Sequence, residues 1–383
     1  MQAKAAADVK AWGQQLSFWE AMVGNEAGAF AAMASNALAW RGDRPAPVAK
    51  IDPAGARAVD ALKAIVEASR GRRLVILNEA HHVSRCRAFG VAVAVALRAE
   101  GFTWLAAEAF SPYGPDRFAD TANAGKPMLT SSGYYHLDPV FAEFVRQARE
   151  AGYRLADYEQ RQEQEAPEGS DGAERIAARE EAQAANLIAN VLEKDPKARV
   201  LVYCGYSHAA KIPLGGQPWM AARLKAKTGL DPLCIEQSNG APDPAGADLN
   251  PNLPVVLDHF APSGPVAVFS ADGAALTANY PGAVDIAVYH PRLAAVDGRP
   301  GWLPIAPGRR RAAFVLPEPL APGALLQAIP AAEAALAQNV IPADQYLITA
   351  PARTATFFLR PGDYRLLAET DAGRLALGSL RVA

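Results

Sequence analysis

Six short apolar runs recur along the first three quarters of the chain, and helix-length segments separate the first five. The runs are "RRLVILN" (72–78), "TWLAAEA" (103–109), "YRLADYE" (153–159), "RVLVYCG" (199–205), "PLCIEQ" (232–237) and "VDIAVYHP" (284–291). Strands alternating with helices predict an α/β fold: a doubly wound, mostly parallel sheet with flanking helices. The intervening segments carry helix punctuation. Asp138-Pro139 reads as an N-cap followed by proline at the first helical position, and Gly152 stands where a helix-terminating glycine belongs. Residues 171–195 are rich in Ala, Glu and Arg, and 218–229 end in glycine. The segment 86–99 alternates like a strand, but its alternate positions are alanines. A helix there supplies the crossover that parallel strands require, so helix is the expectation.

The flanks differ from this middle. Residues 5–40 read as helical, with Trp12, Leu16, Trp19 and Met22 or Val23 forming one apolar face. A Pro/Gly-rich connector (40–56) follows, then a helix over 57–69. From about residue 300 short strands alternate with Pro-Gly and Asp-Ala-Gly turns. The expected division is an N-terminal helical segment (1–50), an α/β domain (51–304) and a small, sandwich-like, β-rich C-terminal appendage (305–383).

Composition removes several function classes. The net charge of the 383 residues is −2, with no long basic run, so nucleic-acid binding by phosphate neutralisation is not expected. Cys86, Cys204 and Cys234 form no CxxC pair, which leaves a disulfide scaffold or a structural zinc site unsupported. Cys86 and Cys204 flank the motifs below and read as small buried thiols. No stretch approaches the ~18 consecutive apolar residues of a transmembrane helix. The first residues lack the apolar core of a secretion signal. A cytoplasmic chain and a processed periplasmic chain both fit.

In a parallel α/β sheet, ligands bind beyond the carboxyl ends of the strands. In this sequence those ends deliver Glu79, His81 and His82; Glu108; Asp157, Tyr158 and Glu159; Gly205 and then His208; Glu236; and His290. The strand starts carry Arg72, Arg73, Arg154 and Arg199 instead, so the two edges differ in sign. A histidine positioned by a carboxylate acts as a general base on water or an alcohol. Glu79 and Glu108, converging in a water-poor pocket, would push each other's pKa apart. Alternatively His81, His208 and Glu108 offer a donor set for a divalent metal. Arg85 or Arg87 would hold an anionic group or an oxyanion. Asp157, Glu159, His136 and Arg179 are further candidates for substrate contact. Arg179 and Asn186 are seven apart on one helix face. The plainer alternatives are a surface loop for Asp157, Glu159 and His136, and a solvated ion-pair face for Arg179.

"LVILNEAHH" (74–82), followed about twenty-five residues later by "FTWLAAEAF" (102–110), resembles the erythromycin esterase-like superfamily. That group also holds ChaN-like haem-binding lipoproteins and Tiki-type metalloproteases. "AREEAQAAN" (178–186) and "GYSH" (205–208) look like its later motifs, and the similarity covers roughly residues 70–240. The resemblance implies Glu79, Glu108 and His208 as catalytic residues. It leaves the first-motif histidine open: esterase spacing selects His82, whereas the haem-binding and metalloprotease spacing selects His81. The family usually has glycine where Asn78 stands, and asparagine tolerates the left-handed backbone that a turn there would need. The implied activity is hydrolysis of an ester or amide-type bond in a small molecule or peptide by His-activated water. A metal-dependent peptidase, or a haem- or metal-binding protein without catalysis, would use the same residues with a divalent ion or haem. His81 and His82 are adjacent at a strand end, so only one is expected to face the pocket.

Overall fold

The computed structural model describes residues 2–39, 50–113, 118–133, 137–248, 250–277, 280–336 and 339–383, with only the backbone of 2–11 and 36–39. His136 lies outside the described residues, as does most of the 40–56 connector. Two helices, α1 (Gln2–Met22) and α2 (Glu26–Ala39), form a hairpin. Then follow β1 (Arg57–Asp60), α3 (Ala61–Ser69), β2 (Leu74–Glu79), α4 (Ser84–Ala99), β3 (Trp104–Ala107), α5 (Phe118–Asn123), α6 (Pro139–Glu150) and β4 (Arg154–Asp157). Next come α7 (Gly172–Leu187), β5 (Val200–Gly205), α8 (Met220–Thr228), β6 (Leu233–Glu236), α9 (Asn252–Phe260), β7 (Val266–Phe269) and β8 (Ile286–Tyr289). The C-terminal strands are β9 (Arg310–Leu320), β10 (Leu325–Pro330), β11 (Asp344–Leu347), β12 (Ala352–Leu359), β13 (Gly362–Thr370) and β14 (Gly373–Val382).

An eight-stranded sheet in the order β1-β7-β8-β6-β2-β5-β3-β4 forms the body. β7 pairs antiparallel with β8, and the six strands from β8 to β4 are all parallel to one another. Their carboxyl ends therefore share one edge. Alternation along β2 sends Val75 and Leu77 into one core with Phe89 and Val93 of α4 and Phe144 of α6. Leu74 and Ile76 enter the opposite core with Ala184 and Leu187 of α7 and Leu224 of α8. Each fully buried Leu or Ile contributes about 1.5–3 kcal/mol relative to an exposed one. The local signals act as read: Asp138 accepts the Val140 N–H at 2.8 Å at the start of α6, and Gly152 has φ 86° after its end.

Two local expectations are corrected. The helix expected over 57–69 begins only at Ala61, capped by Asp60, which accepts the Lys63 N–H at 2.8 Å. Arg57–Asp60 instead pairs antiparallel with β7, an element itself unforeseen. Both are four-residue strands, β1 at the sheet edge and β7 between it and β8, and each is defined by pairing with a distant segment, which local periodicity does not encode. The apolar face expected on α1 is also displaced. Trp12, Leu16 and Trp19 are 64 %, 45 % and 51 % exposed, and Ser17, Phe18, Ala21 and Met22 turn inward.

The C-terminal strands form a four-stranded sheet, β11-β10-β13-β14, and a two-stranded ribbon, β12-β9, all antiparallel. They enclose a core of their own around Leu326, Phe357, Leu359 and Leu366. Phe358, on the other face of β12, and Ile341 belong instead to the α4–α6 core of the main sheet. The helical hairpin also touches this region: Gln345 Nε2 donates to Met22 O at 2.7 Å, and Leu347 N–H donates to Val23 O at 2.9 Å. Among the described residues no helix is long and apolar enough to cross a membrane.

Candidate functional site

Glu79 closes β2 and is buried behind it. Its Oε1 accepts the Nδ1–H of His81 at 2.8 Å, and its Oε2 accepts the Tyr203 hydroxyl at 2.8 Å. Arg87, in the first turn of α4, holds both oxygens through Nε and Nη2 at 2.8 and 2.9 Å. The same guanidinium donates to Asp138 at 2.6 Å and to His81 O at 2.7 Å. Burial alone would raise the Glu79 carboxyl; Arg87 and the His81 N–H outweigh it and bring it down to about 2. Glu79 is thus a fixed carboxylate that orients the His81 ring and leaves Nε2 turned forward.

A second carboxylate–imidazole pair faces the first. His208, in the short turn after β5, places Nδ1 at 2.8 Å from Glu180 of α7, and Glu180 also accepts the Met220 N–H at 2.6 Å. His208 Nε2 is 3.5 Å from Glu108 Oε1, and His81 Nε2 is 4.0 Å from the same oxygen. Glu108 follows β3 directly. Its Oε2 accepts the Gly205 N–H at 2.6 Å, and its Oε1 accepts from Arg179 Nη2 at 2.7 Å. Arg179 forks between Glu108 and Glu159 and lies 3.5 Å from His208 Nε2. Gln183 supports Glu159 from the next turn of α7. Burial alone would lower His208; Glu108 first, and Glu180 next, push it up to about 10. Burial would likewise raise Glu108, but His208, His81 and Arg179 hold it well below the usual carboxylate range.

Backbone geometry lets the two pairs meet. A Cβ at Gly205 would lie 2.4 Å from His81 Cε1 and Nε2 and 3.2 Å from Glu108 Oε2, so only glycine lets His81 approach β5. Tyr206, next in the chain, has φ 39°, a conformation that non-glycine residues rarely adopt. Asn78 pins that turn: its Nδ2 donates to Tyr206 O at 2.7 Å, while its Oδ1 accepts the Gln237 N–H at 2.8 Å. The expectation that Asn78 supplies a left-handed turn is therefore corrected. Asn78 is a regular β2 residue that ties β2 to the ends of β5 and β6, and the left-handed residue is Tyr206.

The structure brings together Glu79, His81, Glu108, His208, Arg179 and Glu159. It turns His82 the other way, edge-on to Phe30 of α2 at 5.2 Å between ring centres. Burial, with His81 and Arg87 adding to it, pushes His82 down to about 3, so it is neutral. Arg85 is not at the centre: it donates to Glu26 of the hairpin at 2.9 Å and to Pro291 O at 3.0 Å. Arg87 does not face a substrate but stands behind Glu79. Both arginines are buried in the first turn of α4, each beside a carboxylate of the chain itself, and the sequence around them does not encode those distant partners. Asp157 is buried at the end of β4, with its carbonyl bound by Asn190 Nδ2. Glu236 bonds to Ser238 and Asn239, and His290 to Gln237, both away from the Glu108 cluster.

Glu180 and Tyr203 were missed by sequence reasoning. Glu180 lies four and seven residues before Ala184 and Leu187, on the buried stripe of α7, and a carboxylate there needs a partner. That signal was available in the sequence. The hydroxyl of Tyr203 gave none, because a tyrosine within an apolar strand reads as core.

Of the expected metal donors, His81 and His208 keep Nε2 free of the carboxylates on their Nδ1 atoms, but Glu108 Oε1, which both approach, is already paired with Arg179. Among the described residues no group of three or more His, Cys, Asp or Glu side chains is arranged to hold a metal.

No family model and no curated protein matches this chain. Among solved structures it is similar to the type III effector HopBA1, at 16 % identity and TM-score 0.33 over 49 % of this chain and 88 % of that one. It is also similar to a structure described as bacterial protein toxins, at 16 % identity and TM-score 0.30 over 43 % of this chain and 34 % of that one. A third is the C-terminal region of Pasteurella multocida toxin, described as having a thiol-protease-like catalytic triad. It matches at 14 % identity and TM-score 0.32 over 44 % of this chain and 24 % of that one. Similarity at this level carries no argument about fold or chemistry.

Proposed function

We propose that this chain is a hydrolase of the erythromycin esterase-like kind, cleaving an ester or amide-type bond in a small molecule or peptide with water activated by His81. One observation carries the reading: two carboxylate-oriented histidines, His81 on Glu79 and His208 on Glu180, direct their Nε2 atoms at one carboxylate, Glu108. The main sheet is read as doubly wound, with this centre at its carboxyl edge.

The roles divide by charge. Nδ1–H of His81 is committed to Glu79, which leaves the Nε2 lone pair to take a proton from water. The hydroxide that forms attacks the substrate carbonyl, and the negative charge moves to the carbonyl oxygen. Arg179, partly exposed at the lip of the site, and His208, cationic between two carboxylates, are the donors for that oxygen. His208 or the newly protonated His81 then returns a proton to the leaving oxygen or nitrogen as the bond breaks. Glu108 holds Arg179 and His208 in place and accepts from the attacking water. His82, which esterase-like spacing selects, faces away from this centre, and the general-base role moves to His81.

A panel of chromogenic acyl esters and anilides, assayed with and without EDTA, tests the reading. Turnover that His81→Ala abolishes and EDTA leaves unchanged is expected. Turnover that survives His81→Ala, or that EDTA removes, overturns it.

A further inference from the structure

A cavity of about 190 Å³ lies beside the Glu108 cluster, between the helical hairpin and the ends of β2, β5 and β6. Phe30 and Met33 of α2 and Leu253 of α9 give it an apolar wall. Asn239, Tyr280 and His82 give it a polar one. Tyr206 is shared: it lines the cavity, and its ring stands edge-on to His81 at 5.0 Å between centres. Two observations point to a ligand. His82 lines this cavity and a neighbouring one, is nine-tenths buried, and its Nδ1 has no hydrogen-bond partner among the described residues. A buried polar atom left without a partner is destabilising. The lining also has a definite charge. It contains Asp243 and Asp248, the latter paired with Arg292 at 3.0 Å, Glu236 lies buried and bonded to Ser238 and Asn239, and among the described residues no lysine or arginine lines the cavity. Burial raises the Glu236 carboxyl above its usual range.

We propose that this cavity binds an uncharged or singly cationic organic group with one apolar face and one hydrogen-bonding edge, set between Phe30 and the His82–Asn239 wall. An anionic group is rejected, because its charge would be desolvated beside carboxylates, and Arg292, which reaches Asp248, is already shared between Asp248 and Asp258. Calling the occupant a portion of the substrate rests on the hydrolytic reading; the binding itself does not.

Three probes that share a ring and differ in charge test it: benzamide, benzamidine and benzoate, titrated into the full chain and followed by saturation-transfer NMR. Benzamide and benzamidine are expected to bind, with benzoate weaker by about tenfold or more. His82→Leu should weaken benzamide roughly fivefold, the worth of one neutral hydrogen bond. Ala241→Trp, which fills the cavity, should abolish benzamide binding; if that variant does not fold, Met33→Trp fills it from the hairpin side. Benzoate binding as well as benzamide, or benzamide binding unchanged in the filled variant, overturns the proposal. Hydrolysis is read separately. Probe binding without turnover contradicts the hydrolase reading alone, and turnover without probe binding contradicts the cavity assignment alone.

Discussion

At Gly205 the absence of a side chain decides whether two histidines can share one carboxylate. Gly205→Ala would drive a methyl group into His81. We expect a loss of about 1–3 kcal/mol in chemical denaturation, as for other overpacked sites, together with loss of turnover. Wild-type stability and activity in that variant would mean that His81 has room to move aside. His208 and Glu79 also make stability depend on pH. His208 is raised from 6.5 to about 10 in the folded chain, so its stabilising contribution is complete below pH 6.5 and is lost as pH rises through 10. Glu79 is lowered from 4.5 to about 2, so its contribution is present above pH 4.5 and is lost as pH falls through 2. Denaturation midpoints of wild type and His208→Gln should therefore differ most near pH 6 and converge above pH 10. A constant difference across that range would mean that His208 is not held cationic.

Among the elements, α7 carries the most chemistry for its length. Arg179, Glu180 and Gln183 each bond a site residue from little more than a single helical turn. Glu180→Gln should leave Arg179 in place and lower the His208 pKa, moving the alkaline limit of activity to lower pH. An unmoved alkaline limb would show that His208 does not act as a cation in turnover. The strands that build the site were legible because each is a short apolar run ending in an ionisable group, from Glu79 on β2 to Gly205 and His208 after β5. The facing of α1 was not. Trp12, Leu16 and Trp19 satisfy helical periodicity as well as Phe18, Ala21 and Met22 do, and the inner face is set by tertiary contacts such as Phe18 with His81, at 5.7 Å between ring centres, and Met22 O with Gln345. The choice between His81 and His82 had the same character. Alternation shows that one of two neighbours faces the pocket, but the bond to Glu79 that decides which one is tertiary.

At the scale of the whole molecule, the three parts expected from composition are interlocked by side chains. Phe358 and Ile341 enter the main core, Arg146 of α6 donates to Glu333 at 2.7 Å, and Glu26 of the hairpin accepts from both Arg85 and Trp302 at 2.9 Å. The sequence marked the change of texture near residue 300 but could not show which residues cross it. Cutting the chain at 304 would strip Phe358 and Ile341 from that core. A truncated protein is expected to bind a hydrophobic dye and aggregate, and Phe358→Ala in the full chain should cost about 3–5 kcal/mol. A soluble truncation with wild-type cooperativity would contradict this. The central claim concerns one pair of neighbours, so it is tested most directly by steady-state kinetics of His81→Ala and His82→Ala on the same hydrolysed ester. A catalytic His81 predicts that the first loses kcat by about a hundredfold or more, the usual worth of a general base, while the second retains kcat within a fewfold and changes chiefly KM. The reverse order, or equal and mild losses in both, would contradict it.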